Sequence, residues 1–439
     1  MNNEEALKWL FDLESFGVKL GLKNIQILLQ KLDNPQDALH VIHVAGTNGK
    51  GSVCRYIASI LQQNGYSVGL YTSPHLIDIN ERFVINATQI TSDELTRYCS
   101  QIQTLLQSID DETFTPTFFE VCTAISFLWF KEKKVDFAVI EVGLGGRLDA
   151  TNVVHPILSI ITNISFDHQH VLGETIKKIA IEKAGIIKQN TLVLTAAQQD
   201  AFTVIKKKAE MLHAPIIQIH HHDVHRLNAN LSHQIFHIKT QCSEYEVSTT
   251  LLGIYQGINI AISISAIEQL RMKGFTISDE AIKEGIQNTM HPGRMQVMQQ
   301  KPLILVDGAH NIAAINVLKK TLQEIKGYKT HICVFGAMHD KDIKHMLSIL
   351  VPITDIFIFT RPALKRAEDP NKIAMILKSN HPLKNYEILS NVTDAVAKAV
   401  SLAGPEDLVY ITGSLYNAGE AIHFLQNKQF FSEIQPSNH

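Results

Sequence analysis

Cysteine is scarce and scattered: five thiols, Cys54, Cys99, Cys122, Cys242 and Cys333, are spread over 439 residues with no CxxC pair. That spacing fits neither a disulfide framework nor a thiolate metal site, and free, mostly buried thiols in a reducing compartment are expected. Charge of either sign is not in excess. The net value is −3 with histidine neutral, which gives no basic face for nucleic acid or an acidic membrane. Long apolar runs are missing too. The longest candidate, Phe118 to Phe130, is interrupted by Glu120, Thr123 and Ser126, whereas a membrane span needs about 18 apolar residues in a row. The opening MNNEEALKWLFDLESFG has no basic region followed by an apolar one, so no secretory signal is read there. Glycine and proline are not concentrated anywhere, and there is no internal repeat or low-complexity tract. What remains is 45% hydrophobic and 19% charged, the make-up of a soluble globular protein. A cytoplasmic location and two or three domains are expected.

Apolar strands alternate with helices along much of the chain. Val41 to Ala45 reads as a strand, and Val53, Tyr56, Ile57, Ile60 and Leu61 recur at helical spacing after it. Ser67 to Tyr71, VDFAVIEVG, ILSIITNIS and TLVLT read as further strands, and Thr117 to Phe130 and TIKKIAIEKAGIIK as helices. The alternation implies an α/β fold with a mostly parallel sheet covered on both faces. Between Pro215 and Leu252 the pattern changes to IIQI, HQIFHIKT and YEVSTTLL, which look like short antiparallel strands. Helices return at Gln256 to Leu270 and Asp279 to Thr289. HPGR, at His291 to Arg294, marks a boundary, beyond which the strand–helix alternation restarts. The expected division is residues 1–290 and residues 291–439.

The segment HVAGTNGKGS sits between a strand and a helix. Gly46, Gly49 and Gly51 let backbone N–H groups face an anion, and the helix adds the positive end of its dipole. Lys50 supplies a charge and Ser52 a hydroxyl able to ligate Mg²⁺. A nucleotide site is favoured over a plain strand-to-helix turn, although the strict phosphate-loop pattern is broken at Val44 and at Gly51. Glu141 ends an apolar strand, where a parallel sheet presents its ligands. Beside a phosphate loop, a metal role is favoured for it over a solvated strand end. His168 ends the next strand run and competes with His170 for any role. Lys183 on its own cannot be told from Lys177, Lys178 and Lys188 on a charged helix face. The run HHHDVH, His220 to His225, is read as a solvated loop in preference to a metal site.

Several motifs together carry a resemblance: HVAGTNGKGS, YTSPHL, TFFE, IEVGLGGRLDATN, DH…LG…EKAGIIK, HPGRM, VDGAHN and TGSLY. In order and spacing they are similar to those of the folylpolyglutamate synthase/dihydrofolate synthase family of the Mur ligase superfamily, from about residue 5 to about residue 425. The loop with glycine between lysine and serine is that family's own form. The resemblance implies a P-loop ATPase domain with a small antiparallel sheet, followed by a Rossmann-like α/β domain that closes over the nucleotide. It implies that Asn48, Gly49, Lys50, Gly51 and Ser52 bind ATP phosphates, with Asn259, Arg294 and Asp307 also around the ATP and His310 nearby. Ser73, Glu141 and His168 are implied as Mg²⁺ ligands, and a carbamylated Lys183 as help for a second Mg²⁺. Thr117, Phe118, Phe119, Glu120, Leu148, Asp149 and Ala150 match the segments that hold dihydropteroate.

The implied reaction is ATP-dependent addition of L-glutamate to dihydropteroate and to the γ-glutamyl chain of tetrahydrofolate, through an acyl phosphate. Lys50, Lys183 and His310 are the implied catalytic residues, and the partners are small molecules acting on a monomer. Three alternatives are weighed against it. A single-activity folylpolyglutamate synthase is the first, and LDA after GLGGR favours both activities over it. A peptidoglycan-precursor amino-acid ligase lacks GLGGRLDATN and TFFE. A non-catalytic nucleotide-binding regulator would have no need of Glu141, His168, Lys183 and Arg294 together.

Overall fold

The strand Val41–Ala45 (β1) is buried along its whole length, His43 included, as a strand covered on both faces must be. Seven others join it: Val68–Tyr71 (β2), Phe83–Ile85 (β3), Thr88–Gln89 (β4), Phe137–Glu141 (β5), Leu158–Ile161 (β6), Val193–Thr195 (β7) and Ile216–Gln218 (β8). The computed structural model describes residues 1–17, 20–109 and 114–433. Residues 434–439 of the expected C-terminal domain lie outside them. The strand order is β4-β3-β2-β5-β1-β6-β7-β8. Pairing is parallel from β2 to β8, and β3 and β4 add antiparallel at one edge. The chain leaves β1 for β2, returns to β5, then crosses β1 to reach β6. The strand order therefore reverses around β1, and the crevice at the carboxyl ends of such strands is where open α/β sheets bind ligands.

Apolar spacing builds the layers on this sheet. Helix Phe118–Glu132 is buried almost all round and packs with helices Asn3–Asp12, Lys23–Lys31 and Ser92–Gln107 in one core. A second core joins Ala45, Val142 and Ile161 to helices Ile176–Ala184 and Gln199–Met211. One strand differs from its expected setting. IIQI forms β8, parallel to β7 at the sheet edge, because helix Gln199–Met211 between them makes the crossover that parallel neighbours require. The strands Val224–Ala229 (β9), Gln234–Lys239 (β10) and Glu244–Thr249 (β11) form a separate three-stranded sheet in the order β11-β10-β9. Their links, 230–233 and 240–243, close on themselves by backbone bonds from Asn230 to His233 and from Thr240 to Ser243. Links that short can only reverse the chain, so these strands are antiparallel.

The chain divides into two compact units: Met1–Asn228, Ile235–Thr249 and Gln256–Thr289 in the first, and Ala229–Gln234, Thr250–Tyr255 and the chain from Met290 onward in the second. The second unit has its own sheet. It comprises Gln296–Gln300 (β12), Leu303–Val306 (β13), His331–Phe335 (β14), Ile356–Phe359 (β15), Asn385–Ile388 (β16) and Leu408–Thr412 (β17), in the order β12-β13-β17-β14-β15-β16. Only β12 runs antiparallel. The α/β class expected from the alternation is the class observed in both units.

Candidate active site

β1 delivers the chain to the glycine loop and helix Lys50–Gln63 carries it away. Gly49, the residue before the helix, has φ 87°, and a Cβ there would lie 2.5 Å from Asn259 Oδ1. Gly46 is tighter: a Cβ would meet Thr162 Oγ1 at 1.9 Å. Both glycines are therefore demanded by close approach as well as by conformation. The loop is held from the side by the residues that follow β6. Thr162 Oγ1 donates to the Asn48 carbonyl at 2.6 Å, and Thr47 N donates to the Asn163 carbonyl at 2.9 Å. Asn48 N donates to Asn163 Oδ1 at 2.9 Å, and Ser165 N donates to Thr47 Oγ1 at 3.1 Å. Lys50 Nζ bends back over the loop, donating to the carbonyls of Gly46 at 3.2 Å and Thr47 at 3.4 Å. Gly46→Ala should fold with a displaced loop, lose about 1–3 kcal/mol to overpacking and lose activity. A denaturant midpoint and turnover both equal to those of the parent would show that the close approach is dispensable.

Lys183 reaches the same carbonyl. It lies in the last turn of helix Ile176–Ala184, 4% exposed, and its Nζ donates to Gly46 O at 2.8 Å. The helix is fixed by the GLGGR loop. Arg147 N donates to Glu182 O at 2.7 Å, and the Arg147 guanidinium donates to Glu182 Oε1 at 2.9 Å. Asn152 Nδ2 donates to the Arg147 and Gly185 carbonyls. Burial, with the Lys50 charge nearby, lowers the Lys183 pKa from 10.5 to about 7, against the opposing charges of Asp167 and Asp149. Between those two values the unfolded chain holds more protons than the folded one. Stability from this group therefore rises with pH across that window and is lost as pH falls back toward 7. Lys183→Met should flatten the rise of the urea midpoint between about pH 7 and 9; an unchanged slope would show that Lys183 is not held this way.

Glu141 ends β5 with 5% exposure, and Ser73 N donates to its Oε2 at 3.1 Å. The structure thus brings Ser73 and Glu141 together. His168 is half-buried at φ 47°, its N–H donating to Asp167 Oδ1, while His170 beside it is exposed. The serine hydroxyls and the Glu141 carboxylate are hard oxygen donors of the kind Mg²⁺ takes. Among the described residues no group of three or more His, Cys, Asp or Glu side chains is placed to hold a metal. An ion here would therefore be completed by phosphate oxygens and water, the usual manner of Mg²⁺.

TFFE and GLGGRLDA also meet. Thr117 caps helix Phe118–Glu132 in a capping box, with Glu120 Oε2 accepting from Thr117 N at 2.7 Å and Oγ1 at 2.9 Å. Phe118 lies against Phe11, with ring centroids 5.8 Å apart, and under the Arg82 guanidinium at 5.1 Å. Arg82 Nε donates to His75 Nδ1 at 2.9 Å, and burial lowers the His75 pKa to about 3. Phe119 covers Gly143 so closely that a Cβ there would be 2.5 Å from its ring. Asp149 is buried and folds the loop from within. Its Oδ2 accepts from Leu144 N at 2.8 Å and its Oδ1 from Thr151 N at 3.0 Å; burial raises its pKa against those bonds. Ala150 is buried beside it and Leu148 half-buried.

In the second unit three motifs converge after β13 and β17. Asp307 is buried. Its Oδ2 accepts from Met295 N and its Oδ1 from Ala309 N, both at 2.9 Å; burial raises its pKa and the Arg294 charge opposes the rise. His310 Nδ1 donates to the Gly308 carbonyl at 3.0 Å. Gly413 N donates to the Ala309 carbonyl at 3.0 Å, tying TGSLY to VDGAHN.

Thr162, Asn163 and Ser165 hold the loop but do not stand out in the sequence. Their signal was a polar run directly after a strand of the same sheet. His220 to His225 lies around a short turn, with the His220 and His222 rings stacked 5.0 Å apart.

Among known proteins, the Mur ligase middle domain matches residues 44–267, and the Mur ligase glutamate ligase domain matches residues 293–415. The chain is 38% identical to the dihydrofolate synthase/folylpolyglutamate synthase of Bacillus subtilis, over 94% of this chain and 96% of that one. It is 31% identical to the folylpolyglutamate synthase of Lacticaseibacillus casei, over 95% and 97%. The structure of Mycobacterium tuberculosis folylpolyglutamate synthase complexed with ADP and AMPPCP matches with a TM-score of 0.89 and 28% identity, covering 97% of this chain and 99% of that one. E. coli FolC in complex with DHPP and ADP matches with a TM-score of 0.86 and 27% identity, covering 97% and 98%.

Proposed function

This chain belongs to the dihydrofolate synthase/folylpolyglutamate synthase family of Mur ligases, and from that premise we propose that it joins L-glutamate to dihydropteroate and to the γ-glutamyl chain of tetrahydrofolate at the expense of ATP. It is an ATP-dependent ligase. The observation that carries the reading is the meeting of Lys50 and Lys183 on the Gly46 carbonyl of a phosphate loop. It occurs in a chain similar at full length to an enzyme named for both activities. A peptidoglycan-precursor ligase is not favoured: the folate-named relatives match over nearly all of this chain.

A carboxylate cannot lose oxygen readily, so it is activated first. Its oxygen attacks the γ-phosphorus of ATP, giving an acyl phosphate and ADP. The α-amine of glutamate then attacks the acyl carbon, and phosphate leaves as the amide forms. In this proposal the N–H groups of Asn48 to Ser52 and the helix behind them hold the phosphates. Lys50 offsets the charge that develops on the transferring group. Asn259, beside Gly49, is proposed as an ATP ligand, as are Arg294 and Asp307 in the second unit, with His310 placing the amine or phosphate. Ser73, Glu141 and His168 would hold Mg²⁺, which supplies charge neutralisation on the phosphate oxygens. A carbamylated Lys183 would add a carboxylate for a second ion. Thr117 to Glu120 and Leu148 to Ala150 are proposed to frame the pteroate, with Phe119 as the aromatic face. All five thiols are free and four of them buried, which supports a cytoplasmic protein; a monomer is proposed.

The test is phosphate release by the purified protein with Mg-ATP and L-glutamate, supplying dihydropteroate and tetrahydrofolate separately and weighing the products. Glutamate on both supports the double activity. Addition to tetrahydrofolate alone would make it a single-activity synthase, and addition to neither would remove the reading.

A further inference from the structure

β1 is apolar except at one position, and that position is fully buried. His43 has 0% exposure, and its Nε2 lies 2.8 Å from Thr151 Oγ1. Thr151 carries one hydroxyl hydrogen and donates it to Asp149 Oδ1. The ring must therefore be the donor to Thr151, which fixes the Nε2–H tautomer. Nδ1 is then left as an acceptor in the core, and among the described residues it has no hydrogen-bond partner. A buried polar atom without a partner costs stability that valine at this site would not. The histidine has one polar contact to set against that cost, and the contact reaches the loop with which Phe119 packs. Burial, aided by the Lys188 charge, lowers its pKa to about 3, so the ring is neutral in the working range. Lys188 itself donates to the Asn152 carbonyl at 2.9 Å, at the far end of the same loop.

We infer that His43 is a positioning residue for the pteroate-type acceptor: through Thr151 it orients the Asp149 carboxylate that folds residues 143–151 beneath Phe119. The inference rests on the proposed function for its substrate. It also gives the chain a direct link from the strand before the phosphate loop to the acceptor loop. Asp149 spends one oxygen on Leu144 N and the other on Thr151. Without the ring's N–H the Thr151 hydroxyl keeps its bond to Asp149 and loses its bond to the strand, which would leave the loop's inner anchor loose without touching the nucleotide loop.

The experiment compares His43→Leu and His43→Gln with the parent in steady-state kinetics on the full chain. Leucine fills the volume without a donor; glutamine places an amide N–H at the reach of Nε2. His43→Leu should raise KM for dihydropteroate on the order of tenfold, with kcat and KM for ATP within about twofold, and His43→Gln should restore KM. Equal defects in both variants, or a fall in kcat with a matching rise in KM for ATP, would overturn the inference. Nitrogen-15 histidine spectra give a reading that does not depend on turnover, with the His43 signal identified by its absence in His43→Gln. A neutral Nε2–H ring from about pH 5 to 8 is expected; the other tautomer, or titration in that range, would overturn it. If the parent adds glutamate to neither acceptor, the functional reading falls, while the spectra still decide the hydrogen-bond relay.

Discussion

Lys50→Ala is expected to lower kcat on the order of 10²–10³-fold with either acceptor, because in the proposed role Lys50 supplies a preorganised positive charge to the transferring phosphoryl group. The fold should survive. Lys50 is half-buried at the first position of its helix, and its Nζ donates to the carbonyls of Gly46 and Thr47. Gly46 O keeps a donor in Lys183. The check is turnover alongside circular dichroism and thermal unfolding. Near-normal turnover in a folded variant would remove the phosphate-loop assignment, whereas loss of both signals would say only that the loop is needed to fold.

Lys183→Ala should reduce the rate on a similar scale, for a different reason. Carbamylation needs the free amine: its nitrogen bonds to the carbon of CO₂ and a proton is released. An ordinary lysine offers about one neutral amine in a few thousand at pH 7. Lys183, with its pKa lowered to about 7 by burial, offers a far larger share. The same burial that lowers the pKa also shields the product from water. Partial recovery of Lys183→Ala by a small added carboxylic acid is expected, since under the proposed carbamylation the acid would restore the missing carboxylate. Lys183→Arg should not recover activity, as a guanidinium keeps its charge. Unimpaired turnover in Lys183→Ala would end the proposed role.

Much of the first unit was legible because its signals are local. A strand, three glycines, a lysine and a helical repeat occupy one stretch of chain, and their physics does not depend on distant residues. Capping is equally local: Thr117 and Glu120 are three residues apart and bond to each other. β8 was misread because a short apolar run carries no information about its neighbour; helix Gln199–Met211 decided its direction.

The chemistry of Lys183 was not legible, since Lys177, Lys178 and Lys188 share its helix or its flank and its charge. What separates it is burial against Gly46 and the packing of Arg147 on Glu182, contacts made far along the sequence. The same holds for Thr162, Asn163 and Ser165, which follow a strand yet hold a loop more than a hundred residues earlier. By itself the sequence determined the α/β alternation, the glycine loop between strand and helix and the motif set, because periodicity and turn chemistry act between near neighbours. Only the tertiary structure decided which lysine is desolvated, which polar groups converge on Gly46, and that a histidine in β1 faces Asp149 through Thr151. Burial and hydrogen bonding at those points depend on strands and loops brought together by the sheet.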